Sequence, residues 1–155
     1  MGEIDFGERI NELDGWVKGM GIRITRATPD EVCCEWDVAA GHLQSYGIVH
    51  GGVYCGVVET LASVGAALVA LPRGQSVVGL ENSTSFVRAV RSGRLRATAT
   101  PVTRGRSTQV WEAVVRDGQD RLIATGRVRL LCLDAGRTVA DAPLQITPRG
   151  TIEPR

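Results

Sequence analysis

One glutamate stands alone on a face of small residues in the longest apolar segment of the chain. The segment is residues 51–71, GGVYCGVVETLASVGAALVAL, and the glutamate is Glu59. On a helical wheel Gly52, Cys55, Gly56, Glu59, Ala62, Ser63 and Ala66 share one face. Val53, Val57, Leu61, Val64 and Leu68 make the apolar stripe expected against a sheet. A solvated face would carry several charges, whereas a face of small residues admits a backbone, a helix or a ligand. A carboxylate there loses hydration, which suits a nucleophile or general base. The plainer alternatives are a surface glutamate on the helix edge and a glutamate paired with a core arginine. His50-Gly51-Gly52 opens the same segment, so free N–H groups and the positive end of the helix dipole are exposed beside it. Glycines let a substrate come close to that backbone. Such an end can hold a carbonyl oxygen as it gains negative charge, although a tight loop-to-helix turn needs the same residues.

A second chemistry is phosphate binding. Arg88, Arg91, Arg94, Arg96, Arg104 and Arg106 fall within 19 residues, and arginine is well suited to phosphate oxygens. Alternate residues of a strand point to opposite faces, so two or three of them at most serve one ligand. The rest read as solvated strand residues that discourage edge pairing.

These groups need elements to hold them. Residues 3–14 read as a short amphipathic helix with Ile4, Ile10 and Leu13 buried, interrupted by Gly15, Gly19 and Gly21. Residues 21–27 and 31–38 read as strands around a Thr-Pro-Asp turn, with Val32, Cys34, Trp36 and Val38 on one face. Residues 39–50 form a loop with Gln44, Gly47 and His50. The helix over 51–71 ends at Pro72 and Gly74. The period then becomes two, giving strands at 76–86, 94–103, 107–117 and 121–133, with turns at Gly93, Gly105 and Asp117-Gly118. The organisation is a helix over 1–14, a domain over 15–134 and a tail over 135–155. This is an α+β architecture, one long helix wrapped by an antiparallel sheet. Such a sheet must hide its edges, most simply against a second copy of the chain.

Bulk properties narrow the function classes. The 155 residues suit one domain. A net charge of +1 gives no global pull toward nucleic acid or membrane, and no aromatic-basic platform for nucleic acid is present. The cysteines, 33, 34, 55 and 132, form no metal-ligand spacing and sit in apolar runs. The acidic start, MGEIDFGERINELDG, is unlike a signal peptide. Together these predict a cytoplasmic protein. Residues 51–71 are long and apolar enough to raise a membrane span. Glu59 near the middle and the absence of a basic flank speak against one.

The stretch Gln44-Ser-Tyr-Gly47-Ile-Val-His50-Gly51-Gly52-Val53-Tyr54-Cys55, followed by Glu59-Thr60 and Ser63, resembles the hotdog-fold acyl-CoA thioesterases of the PaaI and 4-hydroxybenzoyl-CoA type. Val78-Gly79 to Asn82, Phe86-Val-Arg88, and Arg104-Gly-Arg106-Ser107-Thr108 before Val110-Trp111-Glu112 extend the likeness over about residues 15–133. The resemblance implies that Glu59 attacks the thioester or activates water. It implies that the Gly51 N–H polarises the thioester carbonyl and that Gln44 orients water or the acyl group. His50, Gly52, Ser63 and Asn82 become substrate-binding candidates, with His50 chiefly structural at the helix entry. Arg106, Ser107 and Thr108, with Arg88 and Arg91 behind them, become candidates for the CoA nucleotide. The chain departs from the pattern at Glu81, where a neutral Asn is usual, and at Arg88-Ala89-Val90, which lacks a proline. His42 has no motif around it.

The implied reaction is hydrolysis of an acyl-CoA to the free acid and CoA, with aromatic acyl groups first and medium-chain groups second. It needs no cofactor and no metal. A homodimer, and a dimer of dimers, is implied as the working assembly. The alternatives are a non-catalytic acyl-CoA binder on the same fold and a hotdog dehydratase, which needs a catalytic histidine.

Overall fold

The computed structural model describes residues 5–13 and 15–144. Two short helices come first, α1 (Gly7–Asn11) and α2 (Trp16–Gly19), then β1 (Arg23–Ala27) and β2 (Val32–Asp37). A single 3₁₀ turn at Ala40–His42 leads into α3 (Gly51–Ala70). Four long strands follow, β3 (Gln75–Phe86), β4 (Arg94–Arg104), β5 (Thr108–Asp117) and β6 (Leu122–Asp134). The predicted α+β architecture is therefore present. Two features depart from expectation. The glycine-rich stretch after residue 14 holds a helical turn, α2. The predicted tail begins with a small hairpin, β7 (Thr138–Val139) and β8 (Ala142–Pro143), whose turn places Ala140 and Asp141 at positive φ. Ile4 and residues 145–155 lie outside the described residues.

The six long strands form one sheet in the order β1-β2-β4-β5-β6-β3, every neighbour antiparallel. Alternation sets the faces: Val32, Cys34 and Trp36 on β2, and Trp111, Ala113 and Val115 on β5, turn inward and are buried. α3 has the length and hydropathy of a membrane span, yet ten of its residues are buried in the fold. Its sheet-facing band is wider than the predicted stripe. Val53, Val57 and Leu61 are buried as expected, but so are Ala62 and Ala66 from the small face. Val64 and Leu68 instead border a groove with Phe6, Ile10 and Leu13. The reason is local: the fully buried Trp111 ring lies against Gly65, where an added Cβ would come within 2.4 Å of it. Beside it the buried Gln109 donates to Ala66 O at 3.0 Å and accepts from Trp111 Nε1 at 3.1 Å. Only small residues let the helix settle that close.

The two edges of the sheet differ. On β1 the Asn11 side chain acts as a substitute strand, donating to Ile24 O at 2.7 Å and accepting from Ile24 N at 2.8 Å. Asp5 accepts from Ala27 N at 2.8 Å, and Phe6 N donates to Ala27 O at 2.9 Å. On β3 eleven of the twelve residues pair with β6 on one side, and no strand among the described residues pairs on the other. A bulge at Leu80 breaks the β3–β6 register between Gly79 and Glu81.

Candidate active site

Glu59 lies on the flank of α3 that faces the free edge strand, half-buried. Its Oε2 accepts from Asn82 Nδ2 at 3.0 Å. The same Nδ2 donates to Cys55 O at 3.0 Å, one helical turn earlier, and Asn82 Oδ1 accepts from Thr84 Oγ1 at 2.7 Å. Oε1 reaches across β3 at Gly79, where an added Cβ would stand 2.3 Å from it. No arginine pairs with Glu59 among the described residues, so the arginine-pair alternative does not describe it. Glu81, the acid at an unusual position, instead pairs with Arg129 at 3.2 Å, and both are exposed. It stays out of the Glu59 site.

The start of α3 has the predicted geometry. His50 is the N-cap, with φ −65° and ψ 133°, and its Nδ1 accepts from Gly52 N at 2.8 Å. His50 therefore acts at the helix entry, as expected. The Gly51 N–H has no acceptor among the described residues, which leaves it available as a donor. The Phe86 ring rests on Gly51, where an added Cβ would lie 2.6 Å from the ring. Phe86 also meets Tyr54, with ring centroids 6.1 Å apart and tilted by 40°. Burial pushes the Tyr54 hydroxyl up to about 12, so it stays protonated. Ser63, one turn past Glu59, is half-buried.

His42 has a role that the sequence did not reveal. It is buried, its Nδ1 accepts from Ala39 N at 2.9 Å, and its Nε2 lies 2.8 Å from Met20 O. Because that carbonyl only accepts, the ring carries its hydrogen on Nε2. His42 O in turn accepts from His50 N at 2.8 Å. This buried ring fixes where the helix begins. The loop between them is a tight turn in which Gln44 O accepts from Gly47 N at 2.8 Å and Gln44 Oε1 accepts from Tyr46 N at 2.8 Å. Arg91 closes it, donating to Tyr46 O at 2.8 Å and Gly47 O at 3.2 Å.

The phosphate-binding candidates divide into two groups. Arg106, Ser107 and Thr108 lie at the β4–β5 turn, near the start of β3 and the end of β6. Gln75 Nε2 donates to Arg106 O at 3.2 Å and to Asp134 Oδ1 at 2.9 Å. A recess of about 460 Å³ opens there, lined by Arg73, Gln75, Arg104, Arg106 and Asp134. Arg73 and Arg104 are thus further cations at this place, although Arg104 also pairs with Asp30. Arg88 is exposed just past the other end of β3. Twelve strand residues separate the two ends, roughly 40 Å, so one chain does not bring both groups to one ligand.

Two of the thiols compete poorly for the nucleophile's part. Burial raises Cys33, and burial pushes Cys34 up to about 12, which leaves little thiolate at neutral pH. Cys55 and Cys132 are also unpaired.

Comparison with known proteins shows the family and the fold. Residues 46–124 match the model of the thioesterase superfamily. The Mycobacterium tuberculosis protein Rv1847 is 43% identical over 118 residues, which cover 75% of this chain and 84% of that one. Its solved structure superposes with a TM-score of 0.76, covering 78% of this chain and 98% of that chain. The proofreading thioesterase EntH of Cronobacter turicensis is 38% identical over 112 residues, 72% of this chain and 81% of EntH. Structures of the thioesterase SAV0944 from Staphylococcus aureus align at about 25% identity and TM-score 0.72, covering about three quarters of this chain and nearly all of theirs. They were solved with alanine replacing a glutamine and a glutamate that stand fifteen residues apart. The chain therefore belongs to the thioesterase superfamily, and as an enzyme it is a thioester hydrolase.

Proposed function

We propose that the chain hydrolyses an acyl-CoA thioester to the free acid and CoA, with Glu59 as its catalytic carboxylate. The observation that carries this reading is the pairing of an anchored carboxylate with an unengaged helix-start N–H. Glu59 is held by Asn82 and has no cationic partner among the described residues, while Gly51 N–H has no acceptor among them. In this reading Glu59 attacks the carbonyl carbon or takes a proton from water, and Gly51 N–H holds the oxygen that becomes negative. Gln44 sits fifteen residues before Glu59, the separation seen between the two replaced residues of SAV0944. Its oxygen accepts from Tyr46 N, and its amide hydrogens meet no acceptor among the described residues, so they can orient water or the acyl group. Phe86 and Tyr54 beside Gly51 favour a flat aromatic acyl group, with medium chains second.

Glu59 and Gly51 of one chain do not serve the same substrate in this reading. They are eight residues apart on α3, roughly 12 Å along the axis. The oxyanion donor and the attacking group must both lie about 3 Å from the reacting carbonyl. Two copies related by a two-fold axis, their helices antiparallel, would set Glu59 of one beside Gly51 of the other. The free β3 edge, with Leu80, Phe86 and Val87 each about half exposed, supports that side as the seam. The same arrangement would bring Arg88 of one chain toward the Arg106 turn of its partner. A dimer of such dimers is the assembly expected in solution. Four unpaired thiols fit a reducing compartment, the cytoplasm.

The test is a panel of acyl-CoAs with a thiol reagent that detects released CoA. The wild-type protein should release CoA fastest from aromatic acyl esters. Glu59→Gln should fold and lose at least about a hundredfold in kcat. A variant that keeps more than about a tenth of the wild-type kcat removes Glu59 from its role.

A further inference from the structure

We infer that Thr84 and Asn82 are positioning residues that choose which oxygen of Glu59 reacts. The inference rests on the thioester-hydrolase reading of Glu59 above. An asparagine side chain has two N–H hydrogens and one carbonyl oxygen, and each has a fixed use here. The two hydrogens go to Cys55 O and Glu59 Oε2, both at 3.0 Å. The oxygen accepts from the Thr84 hydroxyl at 2.7 Å. If the amide were flipped, its oxygen would face a carbonyl and a carboxylate at once, both acceptors, and the Thr84 hydroxyl would lose its acceptor. Three contacts thus agree on one orientation.

The consequence falls on the carboxylate. Oε2 is held by a donor that has no hydrogen left for a substrate. Asn82, expected from the sequence to touch substrate, instead meets Glu59 and the helix backbone. Oε1 is the other oxygen, and it lies over Gly79, in space that any side chain at that position would fill. The bulge at Leu80 follows directly, so the strand bends where Oε1 passes. Oε1 is therefore the oxygen that faces the reacting water or thioester. The chain Thr84 → Asn82 → Glu59 stops the carboxylate rotating. Holding a reactive group in one orientation matters more for the chemical step than for substrate binding. Thr84 itself packs beside Gly126, where an added Cβ would lie 2.6 Å from its hydroxyl, and the β3–β6 pairing fixes its place.

Thr84→Val keeps the shape and removes the donor. Its kcat should fall about tenfold while KM stays within about twofold of wild type. Thr84→Ser, which restores the hydroxyl, should recover kcat to within about twofold of wild type. If valine does not fold beside Gly126, Thr84→Ala takes its place in the same comparison. An unchanged kcat, a serine variant no better than valine, or a rise in KM alone would each overturn the relay. A second readout does not need turnover: the Asn82 side-chain NH₂ signals in a ¹H–¹⁵N spectrum, assigned by their loss in Asn82→Ala. Both hydrogens should exchange slowly in the wild type and fast in Thr84→Val. If the wild type hydrolyses no thioester, the functional reading fails. The relay is then judged on this spectrum, where unchanged exchange in Thr84→Val would refute it.

Discussion

Glu59 Oε1 occupies space that a β-carbon on Gly79 would need, 2.3 Å from where that carbon would stand. Gly79 is not at positive φ, so alanine is acceptable to the backbone there and meets only the carboxylate. Gly79→Ala should therefore displace Glu59 by about an ångström and lower kcat roughly tenfold to a hundredfold. The melting temperature should fall by less than about 4 °C, the scale of about 1 kcal/mol. Steady-state kinetics beside a thermal melt checks this. A large drop in stability with normal kcat would place the role of Gly79 in folding.

Mixing variants tests whether two chains build each site. Glu59→Gln and Gln44→Ala homodimers should each be nearly inactive. After subunit exchange, half of the dimers are hybrids with one intact site, and activity should return to about a quarter of wild type. Native mass spectrometry confirms that exchange took place. Verified hybrids without activity, or an active monomer, would place the whole site in one chain.

Arg106 borders the recess shared with Arg73 and Arg104. Contacts to phosphate far from the thioester contribute uniform binding, so Arg106→Ala should raise KM for acyl-CoA about tenfold with little change in kcat. A pantetheine thioester, which lacks the nucleotide, should show no such rise. An equal rise for both substrates would move the nucleotide elsewhere.

Acid should loosen the N-terminal segment. Hydrogen bonds from Ala27 N, then Gly7 N, hold Asp5 below the ordinary carboxylate value of 3.8. A group whose titration is depressed in the folded state stabilises that state above its unfolded value. The contribution disappears as pH falls through the folded value. Below about pH 4, amide exchange at Ala27 and Gly7 should therefore speed up before the rest of β1, while Asp5→Asn flattens this dependence. Protection that is independent of pH between 2 and 6, on the scale of carboxylate titration, would contradict it.

The main elements and the central carboxylate were legible because they are written locally. A run of about twenty apolar residues with one acid, then four period-two stretches, needs no tertiary information. The limits of α3 and of the six long strands differ from the structure by a residue or two, whereas the helix read over 3–14 shortens to Gly7–Asn11. What the sequence hid depends on distant pairs. Ala62 and Ala66 read as an outward face, and only the position of Trp111 and Gln109, more than forty residues later, turns them inward. Thr84 looks like one more strand threonine until Asn82 and Glu59 are beside it. His42 has no local motif because its partners are Ala39 N and Met20 O, main-chain atoms without a side-chain signature. α2 was missed since three glycines in seven residues suppress any helical pattern, and the β7–β8 hairpin since its turn uses Ala140 and Asp141 at positive φ instead of glycine.

The asymmetry of the sheet also limits how far the chain can polymerise. Backbone hydrogen bonding between sheets propagates only when each copy offers two unsatisfied borders, one to receive a neighbour and one to pass the pattern on. Asn11, Asp5 and Phe6 occupy the β1 border, so growth through strands terminates after a single addition. Cleavage or deletion of the first dozen residues would remove that terminator. The trimmed protein would then present two borders and could form fibrous aggregates, so the N-terminal segment acts as a chain stopper for the sheet.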